Sequence, residues 1–325
     1  MRAPARLHFG FFDLHGGLDR LFGSVGVSLE EIATEIEVCE AEEMSASGPG
    51  SERALAYAER VLAQLNIRKA IKIDVQQAIP GHAGLGSGTQ MALATGVAIN
   101  ALFKTGLEIE KIAALLSRGH RSGIGIATFR HGGLVVDGGR SADTEVPPVI
   151  SRLHFPGNWR FVLVLDKGKK GVHGQQELQA FDRLGKMEES VSGELCRLLL
   201  VKALPALVEN NCEAFGAAVS VIQQRMGEYF APAQAGVFSS RDVEDVVRRL
   251  QHEGALGVGQ SSWGPTGFAL FDSETEAYQA LKQTRSQLTS HNPVEMIICR
   301  ARNTGARVED VSANSNLTAK ANKNN

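Results

Sequence analysis

A glycine-rich turn between a strand pattern and a helical stretch constrains this chain more than any other feature. Ile71, Ile73 and Val75 alternate with polar residues, and apolar residues at helical spacing begin at Met91. Between them, residues 80–90 read PGHAGLGSGTQ. A strand that enters a helix through such a loop exposes N–H groups and a positive dipole end, which suit a phosphate. The loop is neither a Walker loop nor a Rossmann fingerprint, and an ordinary tight turn is the alternative.

Composition and charge exclude several classes of protein. The 325 residues suggest two domains, and the net charge of −2 indicates neither nucleic acid nor a membrane surface as a partner. The four cysteines lie far apart, which disfavours a disulfide framework or a zinc knuckle. The sequence contains no signal-peptide run and no stretch of transmembrane length. We therefore expect a cytoplasmic protein.

The order of the patterns predicts an α+β chain of two domains. We expect an N-terminal domain at 1–150, a C-terminal domain at 151–310 and a disordered tail at 311–325, which has almost no apolar residues. In the first half we predict strands at 2–12, 21–29, 32–39, 124–129 and 134–136, and helices at 52–65, capped by Ser51, and at 108–119. In the second half we predict strands at 159–166, 268–271 and 294–299, and helices at 175–184, 188–201, 210–229, 241–253 and 274–290.

The glycine-dense segments at 80–90, 118–139 and 254–267 suggest one shared site for a polyanion. Arginine binds phosphate oxygens as a rigid fork, so basic residues beside these segments are candidates for that site. These residues are Arg118, His120, Arg121 and Lys170. Solvated surface charge is the alternative for each of them.

The first strand offers a second group of candidates. Alternation places Arg6 and His8 on one face, where they line either a cleft or a solvent-facing surface of the sheet. His173 and Glu177 are four residues apart and share a face of the helix predicted there. We find no Ser-His-Asp arrangement and no His-Glu-x-x-His motif.

The order of these segments resembles the GHMP kinase superfamily. The resemblance rests on ARLHFGFFDL at the start, PGHAGLGSGTQ in the middle and GVGQSSWGPTG near the end. It implies a GHMP-kinase-like fold, with a ribosomal protein S5 domain 2-like N-terminal domain and a ferredoxin-like C-terminal domain. Kinases of the superfamily usually carry a catalytic Asp in a Ser-Gly-x-Asp segment, whereas this chain has Gly125 at that position. ATP-dependent phosphoryl transfer is therefore not expected.

The narrower resemblance is to the β-ribofuranosylaminobenzene 5′-phosphate synthases within that superfamily. It rests on RLHFG at 6–10, RSGIG at 121–125, HGG and DGG at 131–139, and GQSSWGP at 259–265. That family joins phosphoribosyl pyrophosphate to 4-aminobenzoate, with loss of CO2 and pyrophosphate, in the first step of methanopterin biosynthesis. The resemblance implies this reaction, with 4-hydroxybenzoate as an open alternative acceptor. An ATP-dependent small-molecule kinase and a non-catalytic phosphate-binding protein are the alternative functions.

The resemblance also implies roles for individual residues. Catalytic roles fall to Arg6, His8, Arg121 and Lys170. Substrate contacts are implied for a larger set of loop residues, namely Gly84, Gly86, Ser87, Gly88, Thr89, Gln90, Ser122, Gly123, His173, Gln260, Ser261 and Trp263. We expect Mg2+ to help neutralise the phosphates, with its ligands unassigned, and we expect a homodimer.

Overall fold

The computed structural model describes residues 1–169, 171, 183–234, 236–289 and 293–310. Its first half contains six strands and four helices among the described residues. The strands are β1 (Arg2–Asp13), β2 (Phe22–Ala41), β3 (Ser45–Ser47), β4 (Ala70–Gln77), β5 (Leu134–Asp137) and β6 (Val149–Leu153). The helices are α1 (Ser51–Gln64), α2 (Ser87–Phe103), α3 (Ile109–Leu115) and α4 (Ile124–His131).

The first sheet is organised around the long strand β2. β1 pairs antiparallel with it from Arg2 opposite Glu35 to Asp13 opposite Phe22. β4 pairs with the second half of β2, and β5 pairs with the first half. Helices α1 and α2 pack their apolar residues against the side chains of β4, so one cluster of buried residues joins helices and sheet.

The second half forms a smaller antiparallel sheet with helices against it. Its strands are β7 (Arg160–Asp166), β8 (Gly257–Gln260), β9 (Gly267–Phe271) and β10 (Val294–Cys299). Its described helices are α5 (Glu189–Leu198), a π-helical turn (Leu199–Ala203), α6 (Leu204–Val208), α7 (Cys212–Gln234), α8 (Arg241–His252) and α9 (Glu274–Gln287). The strand order β10-β7-β9-β8 agrees with the ferredoxin-like C-terminal domain that the resemblance implies.

One hydrophobic core joins the two halves. Phe9 of β1 lies 6.1 Å from Phe161 of β7 and 5.3 Å from Phe268 of β9, measured between ring centroids. Residues beyond β10 return to the first sheet, where Arg307 bridges Arg2 and Ala301 bridges Leu29. The predicted boundary at residue 150 falls inside β6, which pairs with β5 of the first sheet.

Several sequence predictions of local structure are wrong. Residues 124–129 were predicted as a strand, but they begin helix α4. The helix start is stabilised by the carboxylate of Asp137, which accepts a hydrogen bond from the Gly123 N–H. Residues 21–29 and 32–39 are parts of one strand, since the backbone of Glu30 donates to the Arg300 carbonyl and stays extended. Gly50, not Ser51, occupies the cap position of α1.

The predicted helix at 175–184 lies largely outside the described residues, and the predicted tail at 311–325 lies wholly outside them. Among the described helices, none combines the length and the apolar character that a membrane crossing requires.

Candidate functional site

The strand β1 and two of the glycine-rich segments meet at the Gly84 carbonyl. Ser261 Oγ donates to this carbonyl at 2.6 Å, and Arg6 Nη1 donates to it as well. The His8 N–H in turn donates to Ser261 Oγ at 3.0 Å. Gly84 has a φ of +77°, and a Cβ there would lie 2.1 Å from the Ser261 carbonyl oxygen. Only glycine therefore allows the two loops to approach this closely.

The N-terminus of α2 opens beside this junction. Gly86 caps the helix in the left-handed conformation, and no side chain of the described residues caps it further. The first-turn N–H groups are thus available to an anion. A Cβ on Gly86 would lie 3.2 Å from Arg6 Cγ, and one on Gly88 would lie 3.7 Å from Arg118 Nη1. Two guanidinium side chains accordingly border the helix start.

A cleft of about 1140 Å³ lies next to this corner and is lined by residues of both halves of the chain, including Arg6, His8 and Ser262. We call it the basic cleft, because its lining is rich in cationic and imidazole side chains. These are Arg6, His8, His15, Arg20, Arg118, His120, Arg121, Arg140 and Lys186. Asp19 is the one acidic side chain among the described lining residues. The volume slightly exceeds the roughly 300–1,000 Å³ of ordinary ligand pockets, which suits two substrates bound together.

Neutral acceptors hold three of these arginines in place. Arg20 donates to the carbonyls of Gly138 and Gly139, at 3.0 and 2.9 Å. Arg140 donates to the His120 carbonyl at 3.1 Å, and Arg118 donates to the Tyr57 hydroxyl at 3.0 Å. No carboxylate of the described residues forms an ion pair with any of the three, so their charge is left for a bound anion.

His8 lies at the floor of the basic cleft with 2% of its surface exposed. Its Nδ1 accepts a hydrogen bond from the Gly10 N–H at 3.2 Å. In the neutral ring the proton therefore sits on Nε2, a buried atom with no hydrogen-bond partner among the described residues. Burial, together with the charges of Arg6 and Arg121, holds the pKa of His8 well below 6.5. His8 thus offers a neutral N–H donor rather than a base.

A buried carboxylate supports the wall of the basic cleft. Asp137 is fully buried and accepts hydrogen bonds from the N–H groups of Gly123 and Gly139, both at 2.9 Å. It also accepts from Ser24 Oγ, which lies 2.7 Å from Ser122 Oγ. Burial raises the pKa of Asp137, whereas these hydrogen bonds oppose that rise. The carboxylate joins α4 to the turn that precedes Arg140.

The structure brings some predicted site residues together and separates others. Arg6, His8, Arg121 and Ser122 line the basic cleft, and the glycines of the α2 loop border it through Arg6 and Arg118. Ser87, Thr89, Gln90 and Gly123 lie in or beside the first turns of α2 and α4, and the Gln90 side chain donates to the Gly125 carbonyl. Lys170 and His173 lie outside the described residues.

Two predicted contacts lie away from the basic cleft. Gln260 uses its side chain within the protein, since it accepts from the Ser239 N–H at 2.6 Å and donates to the Ser262 carbonyl at 3.0 Å. Trp263 packs on Phe230, with 4.4 Å between ring centroids, and is 3% exposed. Both line a small cavity behind His8 instead.

Two arginines that line the basic cleft, Arg20 and Arg140, are not among the candidates predicted from the sequence. Arg20 follows a turn without a motif, and Arg140 directly follows a glycine pair. Arg140 directly follows the glycine-dense segment 118–139, and this position is the sequence feature that could have indicated it as a candidate.

The described residues offer no preformed cage of side chains for the expected Mg2+ ion. They contain no group of three or more His, Cys, Asp or Glu side chains placed to hold a metal ion. The oxygens of Asp137 accept hydrogen bonds instead. Mg2+ is usually bound by one or two carboxylates together with substrate phosphates, so the expectation of Mg2+ stays a prediction.

Comparisons with known proteins identify the family of the chain. Residues 52–133 match the GHMP kinases N terminal domain, and residues 203–289 match the GHMP kinases C terminal domain. The chain is 34% identical to the β-ribofuranosylphenol 5′-phosphate synthase of Archaeoglobus fulgidus over 95% of its own length and 99% of that protein. It is 29% identical to the protein of that name from Methanothermobacter thermautotrophicus, over 84% and 89% of the two chains.

A solved structure with the same fold is the L. major mevalonate kinase in complex with R-mevalonate. Its TM-score is 0.68 at 14% identity, over 94% of this chain and 96% of that chain. The chain belongs to the GHMP kinase superfamily and, within it, to the family of the β-ribofuranosylphenol 5′-phosphate synthases. The two-domain GHMP-kinase-like fold predicted from the sequence is thereby confirmed.

Proposed function

We propose that this chain joins the ribosyl group of phosphoribosyl pyrophosphate to a 4-substituted benzoate and releases pyrophosphate and CO2. The names of the archaeal relatives describe a product in which a ribofuranosyl 5′-phosphate is attached to a phenol. The observation that carries the proposal for this chain is the basic cleft, where Arg20, Arg118 and Arg140 have no carboxylate partner among the described residues. Such a cleft suits a donor with phosphate groups at both ends.

The bond changes of the proposed reaction need no ATP. The bond from the anomeric carbon to pyrophosphate breaks, and the ring carbon that bears the carboxylate bonds to the anomeric carbon. The bond to the carboxylate then breaks, and its electron pair restores the aromatic ring as CO2 leaves. No ring proton is lost at that carbon, so this step requires no general base. A neutral His8 with its proton on Nε2 is compatible with such chemistry.

The start of α2 would hold the pyrophosphate. Negative charge builds up on this group as it leaves, and helix N–H groups with Arg6 and Arg118 beside them stabilise such charge. His8 lies next to this corner, because its N–H donates to the serine that bonds the Gly84 carbonyl. We place the reacting carbon atoms near His8, whose Nε2–H would donate to a substrate oxygen.

Gly125 supports transfer without ATP. It stands where the kinases of the superfamily usually carry a catalytic Asp, and a Cβ at Gly125 would lie 3.0 Å from Thr89 Cγ2. The side chain of Thr89, in the first turn of α2, therefore occupies the space beside this position. No carboxylate extends from this point of α4 to accept a proton from a substrate hydroxyl.

The test is release of labelled CO2. The protein is incubated with phosphoribosyl pyrophosphate, Mg2+ and carboxyl-labelled 4-hydroxybenzoate or 4-aminobenzoate in separate reactions. We expect labelled CO2 and pyrophosphate in equal amounts from at least one acceptor, and the ratio of kcat/KM values decides between phenol and aniline. Absence of labelled CO2 with both acceptors would refute the proposal. A parallel reaction with ATP and homoserine or mevalonate would reveal a kinase through substrate-dependent ADP formation.

A further inference from the structure

Part of the basic cleft is lined by aromatic side chains, which we call the aromatic wall. It consists of Phe11 at the end of β1, Phe22 at the start of β2 and Tyr229 of α7. Leu14 and Leu21 add aliphatic surface to the same lining. We infer that the aromatic wall binds the ring of the acceptor, a 4-substituted benzoate, and this assignment rests on the proposed function.

The rings of the aromatic wall continue from His8. The Phe11 ring lies 4.9 Å from the His8 ring and 5.5 Å from the Phe22 ring, measured between centroids. Both separations are within the range at which aromatic rings attract one another. Because the reacting carbon atoms are placed near His8, an acceptor ring against Phe11 and Phe22 would lie beside the anomeric carbon of the donor.

The backbone holds Phe22 in a conformation that bulky residues rarely adopt. Its φ is +82°, in the left-handed region. Leu21, the residue before it, exchanges two backbone hydrogen bonds with Arg140, at 2.9 and 3.0 Å, and Phe22 itself pairs with Asp13 of β1. A glycine at position 22 would make the same bend without strain. A strained aromatic residue in a cleft therefore indicates a use for its ring, as strained residues cluster at ligand sites.

Tyr229 joins the aromatic wall from the second half of the chain. Its hydroxyl donates to the Gly185 carbonyl at 2.6 Å, and its ring packs on Phe230 with 5.1 Å between centroids. The nearby Met187 N–H donates to the Leu14 carbonyl at 3.2 Å, which ties this segment to the end of the first strand. The tyrosine ring is thus held before a ligand arrives, and this lowers the entropic cost of binding.

The acceptor is the substrate whose chemistry fits the aromatic wall. A 4-substituted benzoate is a flat ring with polar groups only at its two ends, whereas the donor is a ribose with phosphate groups. Phenylalanine rings bind another ring through its face or edge, but they offer phosphate oxygens no hydrogen-bond donor. The two substrates would therefore divide the basic cleft by polarity, with the acceptor ring on rigid side chains that keep its reacting carbon aligned.

The experiment isolates the contact with the ring. Calorimetry measures the binding of 4-hydroxybenzoate and of its saturated counterpart, trans-4-hydroxycyclohexanecarboxylate, with pyrophosphate present, and the binding of pyrophosphate alone. We expect Phe22→Leu to weaken 4-hydroxybenzoate by about 5- to 20-fold and to leave the saturated compound and pyrophosphate unchanged. Phe22→Tyr keeps the ring and should stay within about twofold of the wild-type protein. Tyr278→Leu, which replaces an exposed tyrosine of α9, is the control and should change no affinity.

The assignment is overturned if the wild-type protein does not bind 4-hydroxybenzoate, or if Phe22→Leu binds it as tightly as the wild type. It is also overturned if Phe22→Leu weakens the saturated compound or pyrophosphate to the same extent. Thermal melting checks the folding of each variant, and Tyr229→Leu provides a second test on another element. Failure of the proposed function has a different signature, in which 4-hydroxybenzoate binds with the expected selectivity but the wild-type protein releases no labelled CO2.

Discussion

His8 is a buried histidine whose neutral form the folded chain favours, because two guanidinium groups and burial oppose its protonation. In the unfolded chain it takes up a proton as the pH falls below about 6.5. The unfolded state then binds more protons than the folded state. Protonation of His8 in the unfolded chain therefore reduces the free energy of unfolding as the pH falls from 6.5 toward the lower pKa of the folded state. Above pH 6.5 this effect is absent.

We predict that His8→Gln flattens this part of the stability profile. Wild-type protein should lose up to about 1.4 kcal/mol per pH unit more than the variant below pH 6.5. Urea unfolding at several pH values between 7.5 and 5 measures the difference. His131, whose pKa is also lowered, is present in both proteins and cancels in the comparison. Parallel profiles for the two proteins would contradict a depressed pKa at His8.

The sequence predicted some individual site residues and not others for a physical reason. Strand alternation placed Arg6 and His8 on one face, and that information is local. The pairing of Arg20 with Arg140 depends on a backbone bridge between distant segments, which no local pattern encodes. Trp263 was predicted as a substrate contact, but its ring packs on Phe230 in the core and does not line the basic cleft.

Replacing Gly84 in the loop before α2, and Gly106 elsewhere, separates the cost of backbone strain from the cost of breaking the contact between the two loops. Gly84 and Gly106 have similar φ values, +77° and +71°, but a Cβ on Gly106 would meet no atom within 4 Å. We predict that Gly106→Ala lowers the free energy of unfolding by about 1–2 kcal/mol through strain alone. Gly84→Ala should cost about 2–5 kcal/mol, because the Ser261 carbonyl must also move.

Denaturant unfolding measures both costs, and calorimetric titration with pyrophosphate measures the effect on the site. Gly84→Ala should weaken pyrophosphate binding, whereas Gly106→Ala should leave it at the wild-type value. Equal effects of the two substitutions on stability and binding would show that the contact between the loops has no role.

Strands and helices with regular apolar patterns were predicted well, and those shaped by distant partners were not. β10 has the predicted limits, and the strand–loop–helix unit around α2 is present. The α4 segment 124–129 was predicted as a strand on one side of a turn at His131-Gly132-Gly133. The helix is stabilised by the carboxylate of Asp137, which follows it in the sequence and stands on another element.

The stability of the whole molecule depends on the segment after β10, which returns from the second sheet to the first. Arg302 donates to both carboxylate oxygens of Glu30, at 2.7 and 2.9 Å, and to the Gly305 carbonyl. Its side chain is 8% exposed. Arg300 donates to Glu31 at 2.9 Å, but its side chain is 55% exposed. The two residues thus offer one ion pair with a buried arginine and one with an exposed arginine on the same segment.

We predict that Arg302→Met lowers the free energy of unfolding by about 1–2 kcal/mol, because Glu30 loses a buried partner but keeps its ion pair with Arg2. Arg300→Met should lower it by less than about 1 kcal/mol, as for exposed pairs. Urea unfolding followed by circular dichroism measures both values. The unfolding transition should stay single in each variant, because one core joins both halves. A second transition in Arg302→Met would instead indicate that the halves unfold independently.

The same return segment determines when a newly made chain can finish folding. β1 and β2 leave the ribosome first, but Glu31 and its partner Arg300 are 269 positions apart. At about 5–20 residues per second, Glu31 waits roughly 15–50 seconds for this partner. During that interval Leu29, fully buried in the finished protein, lacks its bridge to Ala301. A chain stalled before residue 300 therefore exposes apolar strand surface to chaperones and proteases, although every residue of the first sheet has been made.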